Sequence, residues 1–218
     1  MAISPAFVSG TKYDINNSWL EFASTSTLSK TVACISNVDR AFIIQVMGGT
    51  GKQVSSASIG GQALSRIGYI AYPSNLWMDV WGKLNAPTGN QTLSITLNAS
   101  VSGWVNVLQF DKTSGWRTQI TTAQGSTTNP STTATSLIKD DLVISSIVKF
   151  NGLSGVGAGQ TEIQYNYRYG LYSRPSTKIL TVDGSTVFSY TSGASDNYAH
   201  VIWSLMPVPV GGGKVIWW

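Results

Sequence analysis

The 218-residue sequence predicts an all-β fold: a single antiparallel, jelly-roll-like β-sandwich of about a dozen strands with almost no helix. Three observations carry that expectation. Apolar residues recur with period 2 along most of the chain, and no segment shows a convincing 3.6-residue pattern. Only 11% of residues are charged, where about 25% is usual, so Ser, Thr, Asn and Gly must cover the surface. The apolar runs are short and broken by Gly, Asn-Ala and Asp-Gly turns, as in sandwiches and barrels. With 42% hydrophobic residues the chain can bury a real core.

The elements follow in order. Strands are expected at 17–23, 28–35 and 40–47, the last running into the glycine-rich "GGTGK" of residues 48–52. Further strands are expected at 54–59 and 63–71, around a Gly-Gly turn. In "LWMDVWGKL" (76–84), Leu76, Met78, Val80 and Leu84 share one face, and Trp77, Asp79, Trp81 and Lys83 the other. Leu93, Ile95 and Leu97 alternate with Ser and Thr, as in a strand with one wet face. By contrast, 104–110 and 142–150 are apolar on both faces, the mark of central strands. "EIQYNYRYG" (162–170) sets Ile163, Tyr165, Tyr167 and Tyr169 against Glu162, Gln164, Asn166 and Arg168. The tyrosine face is expected to be core-facing or interfacial. Strands at 178–182, 186–191 and 198–206 complete the set.

These elements make one domain over 15–208, preceded by an N-terminal arm, 1–14. Residues 113–136, rich in Ser and Thr with little apolar patterning, read as a long crossover between two halves of the sandwich. The end, 209–218, reads as a C-terminal arm hinged on three glycines. Its Val215, Ile216, Trp217 and Trp218 are too apolar for a free end. They are expected to fold back or to add a strand to a neighbouring subunit.

The runs "VSSASIGGQALSRIG" (54–68) and "LWMDVWGKLNAPTGNQTLSITLNASVSGWVNVLQFDKTS" (76–114) resemble a recurrent β-sandwich domain of phage virion proteins and bacterial surface or secreted proteins. "TSLIKDDLVISSIVKF", "GAGQT" and "YAHVIWSLMPV" resemble that domain's second half, so the likeness covers about residues 15–208. The matching features are turns and core positions. The resemblance therefore implies a fold and brings no functional residues with it.

Charge and cysteine usage exclude several classes. The net charge of +4 comes from 14 basic residues scattered singly, so neither a basic arm nor a nucleic-acid track is expected. Cys34 is alone, which rules out an intrachain disulfide or a cysteine metal cluster. The first residues lack the basic and apolar regions of a secretory signal, and no apolar run reaches 18 residues, so no membrane helix is expected. An exterior-type surface without visible export fits a virion protein, made in a host cytoplasm and released by lysis. A bacterial extracellular or cell-surface domain is the alternative.

Candidate chemistry is sparse. "GGTGK" fails as a phosphate loop: five residues before Gly51 stands Val46, and Gln53 follows Lys52. With β-like residues behind it, it reads as a strand-to-strand loop. His200 is the lone histidine, and a structural role is expected for it, since sites need several convergent groups. The glutamates are Glu21 and Glu162 alone. Asp39, Asp140, Asp183 and Asp196 sit where turns are expected, and Asp140-Asp141 lacks the pattern of a calcium loop. No cofactor and no catalytic set is expected. Trp77, Asp79, Trp81 and Lys83 form a candidate platform for a glycan or protein partner, unless their strand is buried on both sides. The expected function is that of a non-enzymatic, multi-copy virion structural protein, a capsid decoration (cement) protein or a tail or fibre component. Its partners would be other virion proteins and copies of itself. A carbohydrate-binding or adhesin module contacting a host-surface glycan is the alternative.

Overall fold

A computed structural model describes residues 20–208 except 37, 50–51 and 73–75. Both arms therefore lie outside the described residues, Val215, Ile216, Trp217 and Trp218 included. Eighteen strands and no helix make up the described chain. Strands β1 (Leu20–Cys34), β2 (Ala41–Gly48), β3 (Val54–Ile59), β4 (Gln62–Ala63), β5 (Ser65–Tyr72), β6 (Leu76–Leu84) and β7 (Gly89–Phe110) form one antiparallel sheet. A second sheet holds β8 (Thr113–Trp116), β9 (Thr121–Thr127), β11 (Leu142–Phe150), β13 (Thr161–Glu162), β14 (Asn166–Arg168), β15 (Leu171–Ser173), β16 (Ser176–Ile179) and β18 (Asp196–Pro207). A third, of three strands, holds β10 (Ser131–Leu137), β12 (Leu153–Val156) and β17 (Gly184–Ser192).

The all-β sandwich is the fold, built as a stack and not as two bare layers. Strand β7 is long enough to serve two sets of partners. Its first half pairs with β3 and the later part of β1, its second half with β2 and the start of β1. Register shifts between Phe22 and Thr27 interrupt the β1–β7 ribbon, as bulges do where a strand bends. Leu28, Val32, Leu93 and Ile95 thereby cluster with Phe42, Ile44, Val46 and Trp77 in a first core. The opposite face of the same sheet packs on the second sheet. There Ile43, Met47, Met78, Val80, Trp104 and Leu108 meet Ile144, Val148, Val201 and Trp203. The second sheet's outer face is covered in turn by the third, through Val143 and Ile202 against Ala134 and Phe188, and Ile147 and Tyr198 against Leu153 and Tyr190.

This stacking explains the two-faced apolar strands. Every residue of β2, and all of β11 except Phe150, is buried because each strand has a core on both sides. Residues of even number in β11 face the first sheet and those of odd number the third, so Ser145 and Ser146 point into different cores.

The 113–136 segment, expected as a long Ser/Thr-rich crossover, is largely strand. It supplies β8, β9 and the start of β10. Strand β9 alternates half-buried and exposed positions along "TTAQGST", and Ser and Thr tolerate that one-sided wetting, which leaves no apolar signature to read. These strands, with the short β12–β16, raise the count from about a dozen to eighteen.

An ion pair ties the crossover to the second sheet. The Arg117 Nε and Nη2 donate to Asp141 at 2.9 and 3.0 Å, and Ser204 Oγ donates to the same carboxylate at 3.2 Å. Asp141 is fully buried while Arg117 keeps one side to water. Asp141 is thus a structural anion, and no group of three His, Cys, Asp or Glu side chains clusters as metal ligands among the described residues. Arg117→Ala should destabilise the fold by about 3 kcal/mol, because it strands a buried carboxylate. Urea unfolding of the variant checks this. Arg117→Lys should recover only part of the loss, since the paired geometry is lost.

Candidate contact surface

The tryptophan strand comes first. Its alternation is as read: Leu76, Met78 and Val80 face the central core, Trp77 and Trp81 the other side. That other side is the first core and not solvent. Trp77 and Asp79 are fully buried, and Trp81 and Lys83 are half-buried. The expected outward platform is therefore replaced by the doubly buried alternative, because the β1–β7 ribbon folds over this face of the sheet.

Asp79 is held by four donors: Arg66 Nε and Nη2 at 3.0 Å each, Trp81 Nε1 at 2.8 Å and the Val54 amide at 3.0 Å. Burial lifts its pKa to about 6 against the pull of Arg66 and the hydrogen bonds. The Arg66 guanidinium also lies 4.9 Å from the Trp81 ring and 5.6 Å from Tyr69. This cluster pins the β2–β3 and β5–β6 ends together, with Tyr69 Oη donating to Lys52 O at 3.2 Å. The "GGTGK" segment thus connects β2 to β3, with no helix N-terminus to receive a phosphate.

The second candidate is His200. Its Nε2 lies 2.6 Å from Ser145 Oγ and its Nδ1 2.8 Å from Thr132 Oγ1. Ser145 Oγ is also 2.5 Å from Tyr190 Oη, which is 3.0 Å from Ser176 Oγ, itself bonded by Gln160 Nε2 at 2.9 Å. A serine within reach of an imidazole is the geometry of nucleophilic catalysis. Here, however, a threonine hydroxyl stands where a carboxylate would orient the ring. Ser145, His200 and Ser176 are fully buried and Tyr190 nearly so. Burial drives His200 down to about 3 and Tyr190 up to about 12. The string is neutral and sealed between the second and third sheets, and it satisfies polar groups that would otherwise be stranded.

A second sealed network crosses the central core. Asn106 Nδ2 donates to Gln45 Oε1 at 3.1 Å and to Ser173 Oγ at 3.2 Å, Gln45 donates to Ser146, and Asn166 donates to Asn106 Oδ1. This network sets the orientation of β14. With Asn166 drawn inward and buried, its neighbours in the alternation are turned out. Tyr165, Tyr167 and Tyr169 are 42%, 49% and 49% exposed, so of the two expected settings, core-facing or interfacial, these tyrosines do not take the core-facing one.

These rings are ordered by their surroundings. Tyr167 pairs across the ladder with Tyr172, ring centroids 4.4 Å apart, and Tyr165 lies 6.2 Å from the same ring. The Arg174 guanidinium sits 4.3 Å from the centre of the Tyr165 ring, donates to Leu153 O of β12 at 3.2 Å and pairs with Glu162. Tyr172 also packs partly against the outer core. The tyrosines thus form a shelf on the outer face of β14–β15, beside β12 of the third sheet. At the hairpin tip, Tyr169 Oη donates to Glu21 Oε2 at 3.2 Å. Tyr169 thus reaches from the hairpin tip to β1 of the first sheet, and Glu162 is the glutamate that lies beside the shelf, through Arg174. The signal within reach of sequence reasoning was Tyr169-Gly170, a turn dipeptide that places the flanking tyrosines at a hairpin end.

Comparison with known proteins finds no family model, no characterised protein and no solved structure that matches the chain.

Proposed function

We propose that this chain is a non-enzymatic, multi-copy virion structural protein, a capsid decoration or tail or fibre component. It would be made in a host cytoplasm, released by lysis, and act through contact between its surface and its neighbours. The observation that carries the contact reading is the division of polar and aromatic groups. The pair with nucleophile-and-base geometry, Ser145 and His200, is sealed in a core, while the large exposed rings gather on one ordered shelf. The sparse charge supports the same reading, since neutral surfaces avoid desolvating ions on association. A carbohydrate-binding or adhesin role is the second reading. The shelf of Tyr165, Tyr167 and Tyr172 favours it, in place of the tryptophan strand.

The native mass and copy number of the assembly, taken from source particles, test the proposal. A defined multi-copy complex is the expected result. A chain that occurs only as a free monomer, with no particle, would contradict it.

A further inference from the structure

We infer that the tyrosine shelf is a binding site for a neutral oligosaccharide, stacked on Tyr165 and Tyr167 and hydrogen-bonded by the polar groups at its rim. The inference rests on the contact reading of this shelf and names its ligand.

Four features of the shelf select that ligand. The first is aromatic area without aliphatic area. The side chains turned out at 165, 167 and 169 are all tyrosines, which offer ring faces to the C–H faces of a sugar and hydroxyls to its edges. Two residues apart on an extended segment, Tyr165 and Tyr167 stand roughly 6–7 Å from one another, a spacing suited to successive rings of a chain.

The second feature is order before binding. Tyr172 supports both rings from the neighbouring strand, and Arg174 lies against Tyr165. Rings held in place lose little freedom when a ligand arrives.

The third is charge. The rim carries one carboxylate, Glu162, and one guanidinium, Arg174, paired with each other. Such a rim offers both acceptors and donors to sugar hydroxyls, and its one described guanidinium is already neutralised, which favours a neutral over an acidic sugar. It also disfavours a protein strand added at the sheet edge, because β14 is only three residues long and exposes little backbone for pairing.

The fourth is the backbone at the tip. Tyr169 and Gly170 link the paired residues Arg168 and Leu171 with φ of +51° and +74°, the two-residue turn that prefers Asn-Gly or Gly-Gly. The chain uses those ordinary residues elsewhere with the same angles, Gly60-Gly61 at +55° and +77° and Asn151-Gly152 at +42° and +75°. A bulky aromatic in the left-handed region is unfavourable. Keeping Tyr at 169 sacrifices local stability for a ring at the edge of the shelf, the kind of local conflict found at functional positions.

The test measures binding of the full chain to immobilised gluco-, manno- and galacto-hexasaccharides, with polygalacturonate as the acidic comparison. The expected result is retention on at least one neutral sugar and none on polygalacturonate. Tyr167→Ala and Tyr165→Ala should each weaken that binding at least tenfold. Tyr169→Asn should weaken it too while leaving the thermal midpoint unchanged or higher, which a purely structural tyrosine would not do. Failure of the wild-type chain to bind any neutral sugar overturns the inference, and so does binding indifferent to all three substitutions. If instead the variants lose association with particle or subunits while the wild type binds no sugar, the shelf is a protein contact. That outcome overturns the saccharide and leaves the contact reading standing.

Discussion

Trp77→Ala is expected to destabilise the fold by about 3–5 kcal/mol, whereas Tyr167→Ala should change stability by less than about 1 kcal/mol. Trp77 is fully buried. It belongs to the first core, together with Val46, Leu93, Val101 and Val105, and truncation leaves a cavity between the folded-over ribbon and the sheet. For a domain of this size, such a loss lowers the thermal midpoint by roughly 10 °C or more. Tyr167 is half in solvent, and its neighbours close no cavity when it is removed. Urea titrations of the two variants decide the matter. Equal and small losses would mean that Trp77 is a surface residue after all. A loss at Tyr167 as large as that at Trp77 would mean that the shelf is part of a core.

The second large effect is a dependence on pH that His200 alone should produce. In the unfolded chain its imidazole titrates near 6.5, and in the fold burial holds the value to about 3. The depressed value means that the stabilising contribution is complete above about pH 6.5 and is lost as pH falls towards 3. The total is on the order of 5 kcal/mol. Asp79 acts with the opposite sign. Its folded value, about 6 against an ordinary 3.8, gives stability that is complete below about pH 4 and is lost as pH rises through 6. The two offset each other between pH 4 and 6, so the wild-type curve there should be nearly flat. Comparing wild type with His200→Asn isolates the imidazole. The variant should be the less stable at pH 7.5, by about 2 kcal/mol for the broken string. That difference should shrink by about 1.4 kcal/mol per pH unit below 6.5 and so reverse near about pH 5. A difference constant from pH 7.5 to 4 would show that His200 is free to titrate.

The parts of this fold that sequence made legible are those governed by local alternation. The runs 104–110 and 142–150 are apolar at both parities because two cores flank each of them, and that reads directly as central strand. In "LWMDVWGKL" the same alternation was correct, yet it could not say whether Trp77 faced water. The answer depends on β1 and β7 folding over that face. Asp79 looked like a surface carboxylate because the groups that hold it, Arg66 and the Val54 amide, come from other strands. The choice between core-facing and interfacial for the tyrosine face was open for the same reason. Asn166 is buried because Asn106, sixty residues away, accepts its amide, and that single bond sets which side of β14 is out. Polar alternation along 121–127 concealed a strand, since Ser and Thr give no apolar contrast on a half-wet edge. In each case the missing information was a long-range partner.

The central claim is that the Ser145–His200 pair is sealed as structure and that the outward tyrosines carry function. The lone imidazole offers the most direct test of it, because a single histidine gives one unambiguous set of NMR signals. Its carbon-bound ring protons should hold a neutral chemical shift from pH 8 down to about 4 in the folded protein. A titration centred near 6.5 would place His200 in contact with water, make the pair with Ser145 accessible, and contradict the claim.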